Sequence, residues 1–268
     1  MLQLLSLMLI CCLIFIGCKG KNGSGASKDS ASLAEVKFPP QSSPISSTEA
    51  DQRISDYKSS TTIIQTDDGT GNQVPLWGFK FDAPQIDEII NHNASGTAAS
   101  NVEQVAFYFA FEPGKKRWHL IAYGMTGPYD VPNDGGTLLV GGSTPSIFDD
   151  KASTPIPKDK AEKARSFYTD HSNNNPLKTY DKKNVLRELY GFAFTATQLN
   201  QVLGKNPDKI ALDLGLEYPY PDKSKLRWHI IAYGMKNGNP VGGTASGQAL
   251  LPAGGLYFDK ADPCPPCN

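Results

Sequence analysis

The order of apolar and polar residues along the chain predicts two copies of one series of elements. Every second residue is large and apolar in two stretches, which are Val105, Phe107, Phe109 and Phe111 and then Ile210, Leu212, Leu214 and Leu216. Strict alternation places these side chains on one face of a half-buried β-strand. A Pro-bearing turn follows each stretch, so each one is predicted to be the first strand of a β-hairpin.

The returning strand of each hairpin is a repeated nonapeptide. Residues 117–125 and 227–235 are identical except that Leu120 is replaced by Ile230. Alternation puts Trp118 on one face of this strand and His119 and Tyr123 on the other. The chain is therefore interpreted as a tandem duplication.

Helices and a closing strand recur in both copies. Asp82 and Thr195 each stand three residues before a glutamine, the spacing of a capping box at a helix start. Polar helices are predicted upstream, at Glu49 to Lys58 and at Lys160 to His171. Each copy then runs to a short strand and ends alike, in Ile147-Phe148-Asp149-Asp150-Lys151 and in Tyr257-Phe258-Asp259-Lys260.

These elements predict an α+β fold made of two tandem repeats. Each repeat would hold a pair of short helices with its own small antiparallel β-sheet, over residues 47–152 and 153–268. Such a unit has little core of its own, so we expect the two repeats to touch.

The N-terminus is predicted to be a lipoprotein signal peptide over residues 1–17. Met1 to Ile16 is almost wholly apolar but shorter than the roughly 20 residues of a membrane span. Gly17-Cys18 at its end looks like the lipobox of bacterial lipoproteins, which implies lipidation of Cys18. The alternatives are an ordinary cleaved signal or an uncleaved anchor. Residues 18–46, rich in Ser, Lys and Gly, are predicted to be a flexible tether.

The whole arrangement resembles uncharacterised lipoproteins of Bacteroidota. A lipobox, a repeated unit with a capped helix and a hairpin, and the tail Cys264-Pro265-Pro266-Cys267 carry the resemblance. It implies an envelope location, with the lipid in a membrane and the outer membrane expected rather than the inner one. It implies no activity and no catalytic residues.

The net charge and the C-terminal cysteines indicate which partners and which compartment to expect. The net charge is −1 and no basic stripe is present, so nucleic acid is not expected as a partner. Cys264 and Cys267 suit a disulfide in an oxidising compartment. A redox role is the alternative, although only Asn268 follows and no helix can begin there.

The nonapeptide supplies the candidate binding residues. They are Trp118, His119 and Tyr123 in one copy and Trp228, His229 and Tyr233 in the other. The opposing interpretation makes each tryptophan a core residue and each histidine a half-buried side chain with a hydrogen bond in the sheet. No metal ligand is assigned, because a site usually needs three or four ligands and only two histidines are duplicated. No cofactor is expected. Asp149 and Asp259 recur but are not paired with a second carboxylate for acid–base catalysis.

The sequence therefore favours a lipid-anchored binding or interaction module in the cell envelope. A first alternative is an envelope hydrolase with its site between the repeats, near His119 and His229. A second alternative is a structural envelope protein. No nucleophile, base and orienting group can be assembled from the sequence, so no catalytic residue is assigned.

Overall fold

Two long antiparallel hairpins occupy the centre of the fold, as the alternation of apolar residues predicts. The first joins β4, Gln104–Glu112, to β5, Arg117–Met125. The second joins β10, Lys209–Glu217, to β11, Arg227–Lys236. The computed structural model describes residues 44–91, 102–112, 114–125, 147–151, 154–169, 177–180, 184–218, 224–242, 251 and 255–260.

The third strand of each sheet comes from the other sequence repeat. Strand β3, Gly78–Asp82, pairs with β10, and strand β9, Gly191–Thr195, pairs with β4. Phe79 is opposite Leu212, and Phe192 is opposite Phe107. Each repeat thus completes the sheet of its partner.

Two large sheets result, and we name them by the histidines that they carry. The His119 sheet has the order β6, β5, β4, β9, where β6 is Phe148–Asp149. The His229 sheet has the order β12, β11, β10, β3, where β12 is Asn239–Pro240, and β13, Phe258–Lys260, also pairs with β11. Two small hairpins complete the strands, β1, Gln65–Asp67, with β2, Gln73–Pro75, and β7, Lys178–Tyr180, with β8, Leu186–Glu188.

The inner faces of the two large sheets share one apolar core. Alternate residues of β3, β4, β5, β9, β10 and β11 meet there, together with the apolar faces of two short helices. These helices are α2, Ala83–Asn91, and α4, Ala196–Leu203. The sandwich therefore draws its core from both repeats, and the described residues belong to one compact unit.

The outer faces are covered by the two polar helices. Helix α1, Ser47–Lys58, packs on β10 of the second repeat, and helix α3, Lys158–Thr169, packs on β4 of the first. Each helix closes a smaller apolar cluster over the outer face of its sheet. None of the helices in the described residues is long and apolar enough to cross a membrane.

The expected architecture, a pair of short helices with its own small sheet in each repeat, is wrong. Strands dominate, since the described residues hold thirteen strands and four helices, and both large sheets mix strands of the two repeats. The physical reason is the burial of apolar surface. A hairpin carrying Phe107 and Phe109 on one face leaves that face exposed unless a second sheet covers it.

Glycines permit the exchanged strands to approach their partners. A Cβ built on Gly78 would lie 2.6 Å from the carbonyl oxygen of Leu212. A Cβ on Gly191 would collide with the carbonyl oxygen of Phe107 and lie 2.8 Å from the Cα of Tyr108. The first residue of each exchanged strand therefore has no room for a side chain.

The predicted helix starts differ in one detail. Thr195 forms a complete capping box with Gln198, with both hydrogen bonds present. At the other helix Gln85 accepts the backbone N–H of Asp82, while the Asp82 carboxylate pairs with Lys209 at 2.7 Å. The signal peptide, most of the tether, Cys18, Cys264 and Cys267 lie outside the described residues.

Candidate functional site

The two tryptophans of the nonapeptide are core residues. Trp118 and Trp228 face the shared core and are 7% and 2% exposed. Their backbone N–H groups donate at 3.0 Å to the hydroxyls of Thr66 and Thr179. Because the rings are covered inside the sandwich, the structure does not present either tryptophan to a ligand.

The histidines and tyrosines of the nonapeptide lie on the outer faces. Tyr123 stacks on Tyr108 with ring centroids 5.4 Å apart, and the guanidinium of Arg165 lies 4.4 Å from the Tyr108 centroid. In the other sheet the Tyr233 hydroxyl donates to Asp213 at 2.8 Å. His119 and His229 belong to different sheets whose inner faces oppose each other, so they point away from one another and do not form a shared site.

His119 is surrounded by carboxylates. Its Nδ1 lies 3.1 Å from Oδ1 of Asp149 and 3.4 Å from Oδ1 of Asp150. Its Nε2 faces Oε2 of Glu112 at 3.7 Å. We call His119, Asp149 and Asp150 the His119 cluster; one donor atom from each lies within 4.8 Å of the others.

The charges of this cluster shift each other's protonation. Burial alone would lower the pKa of His119, but hydrogen bonds to Asp149 and then Asp150 outweigh it and raise the pKa to about 9. Burial would raise the pKa of Asp149, yet His119 holds it below its ordinary value. Burial raises the pKa of Asp150.

Asp150 is the most enclosed member of the cluster. Its side chain has no exposed surface, and Oδ1 accepts the backbone N–H of Leu120 at 3.0 Å. Within the described residues Oδ2 has no hydrogen-bond partner, and the half-exposed ammonium of Lys151 lies 3.4 Å away. A buried carboxyl in this state takes up a proton unless a positive charge offsets the desolvation of its ionised form.

The equivalent place in the His229 sheet contains an arginine. His229 Nδ1 lies 2.7 Å from Oδ1 of Asp259, and the Arg53 guanidinium donates to Oδ2 of the same carboxylate. Glu217 lies 3.2 Å from His229 Nε2. Burial lowers the pKa of His229; the hydrogen bond with Glu217 opposes this, and the charge of Arg53 adds to the lowering.

Helix α3 supplies no arginine at the matching position. Helices α1 and α3 have the same length, and their eleventh residues, Tyr57 and Tyr168, each donate to a leucine carbonyl. Counting from these tyrosines, Ala164 stands where Arg53 stands. In the described residues no lysine or arginine side chain contacts Asp149.

The strands on which the two helices pack also differ, at the position that faces each histidine. A Cβ on Gly215 would lie 3.1 Å from the Cβ of Arg53, so the glycine admits the arginine-bearing helix. Gly215 is opposite His229 in the β-ladder, and Ala110 is opposite His119. The pair Gly215 and Arg53 thus corresponds to the pair Ala110 and Ala164.

Sequence reasoning missed the partners of both histidines. Asp149 and Asp259 recur in the sequence, and each follows its histidine by the same 30 residues. That constant separation was the available signal. It could not show contact by itself, because contact requires β6 and β13 to pair with the strands that carry the histidines.

The hydrogen-bond partners seen in the described residues do not form a catalytic triad. Each histidine contacts carboxylates, and no serine, threonine or cysteine is a partner of either ring there. The arrangement can hold a positive charge, and in the His229 sheet it does hold one. No family model, curated protein or solved structure matches the chain.

Proposed function

We propose that the protein is a lipid-anchored binding module of the bacterial cell envelope, and that its ligand bears a positive charge and binds at the His119 cluster. The observation that supports this proposal is a difference between two equivalent carboxylates, those of Asp259 and Asp149. Asp259 holds the guanidinium of Arg53, whereas Asp149 has Ala164 at the matching helix position.

The contrast occurs within nearly identical strands. The nonapeptide that carries His119 and His229 differs only at Leu120 and Ile230, so the strand that holds each histidine is nearly the same. What differs is the charge around it. The His229 sheet contains its own cation, while the His119 cluster has a further carboxylate, Asp150, where the second repeat has Lys260.

The concentration of carboxylates is what supports a cationic ligand. Asp149, Asp150 and Glu112 all face one imidazole. The ammonium groups nearest to Glu112 and Asp150, those of Lys115 and Lys151, are more than half exposed, so water screens much of their charge. Burial strengthens the attraction for a cation, because the local dielectric is lower than that of water.

The envelope location is the second part of the proposal. Its support is the apolar segment before Cys18 and the polar stretch after it, which together fit a lipidated N-terminus with a tether. Replacing Cys18 by alanine is expected to move the protein from the membrane fraction to the soluble fraction and to abolish labelling with palmitate. Continued labelling of Cys18→Ala would contradict this part.

Binding is tested by following the imidazole signals of both histidines by NMR in the purified full chain. Methylguanidine and Zn²⁺ serve as an organic and an inorganic cation. We expect at least one of them to shift the His119 signals saturably and leave the His229 signals in place. Equal effects at both histidines, or none at either, would contradict a single cation site. Hydrolysis lost on His119→Asn would favour the hydrolase alternative instead.

A further inference from the structure

We infer that the ligand of the His119 cluster is a divalent transition-metal ion, coordinated by Nδ1 of His119 and by one carboxylate oxygen each of Asp149 and Asp150. This inference rests on the proposed function and narrows it from any cation to a metal. It assigns one ion to the chain, in the His119 sheet, and none to the His229 sheet.

The spacing of the donor atoms suits one small ion. Nδ1 of His119 is 3.1 Å from the Asp149 oxygen and 3.4 Å from the Asp150 oxygen. Two ligands at about 2.1 Å from an ion, separated by tetrahedral or octahedral angles, lie roughly 3.0 to 3.5 Å apart. Two of the three donor separations therefore already match those around a bound ion, and all three donors lie within 4.8 Å of one another.

The unsatisfied oxygen of Asp150 is a second and independent observation. This carboxylate is fully enclosed, and within the described residues its Oδ2 accepts no hydrogen bond. Lys151 lies 3.4 Å away and is itself 57% exposed, so water screens much of its charge. A dication among the carboxylates would supply the missing compensation.

Neighbouring groups hold the ligands in position. The backbone N–H of Leu120 donates to Asp150 at 3.0 Å, and that of Lys151 donates to Asp149 at 2.8 Å. Glu112 faces Nε2 of His119 at 3.7 Å, on the side of the ring that keeps its proton when Nδ1 gives up its own proton to bind the ion. Such contacts orient ligands in protein metal sites.

The mixed donor set indicates the class of metal. Imidazole suits Zn²⁺ and related transition metals, whereas Mg²⁺ and Ca²⁺ prefer oxygen ligands alone. Three protein ligands leave a position for solvent on a tetrahedral ion. A guanidinium or ammonium ligand would use the carboxylates but would not need the imidazole nitrogen. We therefore place Zn²⁺ ahead of organic cations.

The His229 sheet explains why a single ion is expected. There the positive charge of Arg53 already occupies Oδ2 of Asp259. The residue in the place of Asp150 is Lys260 in the sequence, so the third ligand is missing. A metal ion would have to displace a fixed cation and bind with fewer donors.

The test is calorimetric titration of Zn²⁺ into the full chain after treatment with a chelator. We expect one ion per chain, with affinity reduced at least about 100-fold in Asp150→Asn. Ala164→Arg, which copies the second repeat, should also lose the ion while all three ligands stay in place. Arg53→Met is the matched control in the other sheet and should still bind one ion. Thermal unfolding confirms that each variant is folded.

A spectroscopic signature separates this site from adventitious binding. Co²⁺ in place of Zn²⁺ should give visible absorption bands in the wild type that vanish in Asp150→Asn. Zinc binding that survives both Asp150→Asn and Ala164→Arg overturns the inference. If methylguanidine binds at His119 and Zn²⁺ does not, the metal inference fails and the proposed function stands. If neither binds, both fail.

Discussion

Arg53 and Asp259 form an ion pair between helix α1 and strand β13, across 206 residues of sequence and across the two repeats. Both side chains are largely buried, at 14% and 10% exposed. The pair joins the polar helix of the first repeat to the histidine of the second, because Asp259 also contacts His229. One carboxylate thus links the repeats, and it binds an arginine whose matching helix position over the His119 sheet is Ala164.

Removing that arginine should destabilise the fold. Arg53→Met leaves Asp259 buried without its partner, which is expected to lower the free energy of unfolding by about 3 kcal/mol. Lys209→Met breaks the exposed pair with Asp82 and should cost less than about 1 kcal/mol. Urea unfolding of both variants provides the comparison. Equal losses of unfolding free energy in the two variants would contradict a larger contribution from the buried pair of Arg53 and Asp259.

The strand exchange depends on glycines at the start of β3 and β9. Gly191→Ala should lower the free energy of unfolding by at least about 2 kcal/mol, because the new methyl group would collide with Phe107 and Tyr108. Gly114→Ala is the control, since its Cβ would meet nothing within 4 Å. Thermal melting measures both. A harmless Gly191→Ala would mean that β9 does not pair with β4 in this register.

Two threonines should contribute equally to the two sheets. Thr66→Val and Thr179→Val each remove the hydroxyl that accepts the backbone N–H of a buried tryptophan. A buried donor left without an acceptor costs about 1 to 3 kcal/mol. Thr62→Val, at an exposed turn, should be close to neutral. A large difference between Thr66→Val and Thr179→Val, measured by chemical unfolding, would contradict the equivalence of the sheets.

Asp213 should make stability depend on pH. Burial raises the pKa of Asp213, against the hydrogen bond from Tyr233 and the charges of Lys58 and Lys80. A raised folded-state pKa means that Asp213 favours folding below its unfolded pKa and that this contribution is lost as pH rises through the folded value. Asp213→Asn should therefore be more stable than the wild type at pH 7.

The stabilising effect of Asp213→Asn should vanish in acid. Below the ordinary aspartate pKa of about 3.9, the wild-type side chain is neutral like the amide in both the folded and the unfolded state, so the two unfolding curves should converge. Tyr233 can still donate to the amide oxygen, which keeps the local hydrogen bond. Urea midpoints at several pH values test this. A constant difference between variant and wild type over that range would rule out the titration of Asp213 as its cause.

Local patterns were predictable because they depend on neighbouring residues. The large apolar residues at every second position from Val105 to Phe111 predicted β4, and the Thr195 to Gln198 spacing predicted the start of α4; the structure contains both. The partner of each strand was not predictable in this way. The pairing of β9 with β4 depends on a contact far along the chain, and a repeated sequence offers two equivalent partners.

The site was also predictable only in its local features. His119 was singled out by its repetition, and its face of the strand followed from alternation. Its partner Asp149 became visible only when β6 paired with β5. The distinction between the two sheets was not predictable either, since it depends on Arg53 and Ala164, which stand on helices that pack on a strand of the other repeat.

The most direct measurement is anomalous X-ray diffraction at the zinc absorption edge from crystals of the full chain grown with Zn²⁺. The account predicts one anomalous peak, bonded to His119, Asp149 and Asp150, and no peak beside His229 and Asp259, where Arg53 provides the positive charge. Peaks of equal height at both histidines, or no peak at His119, would contradict it.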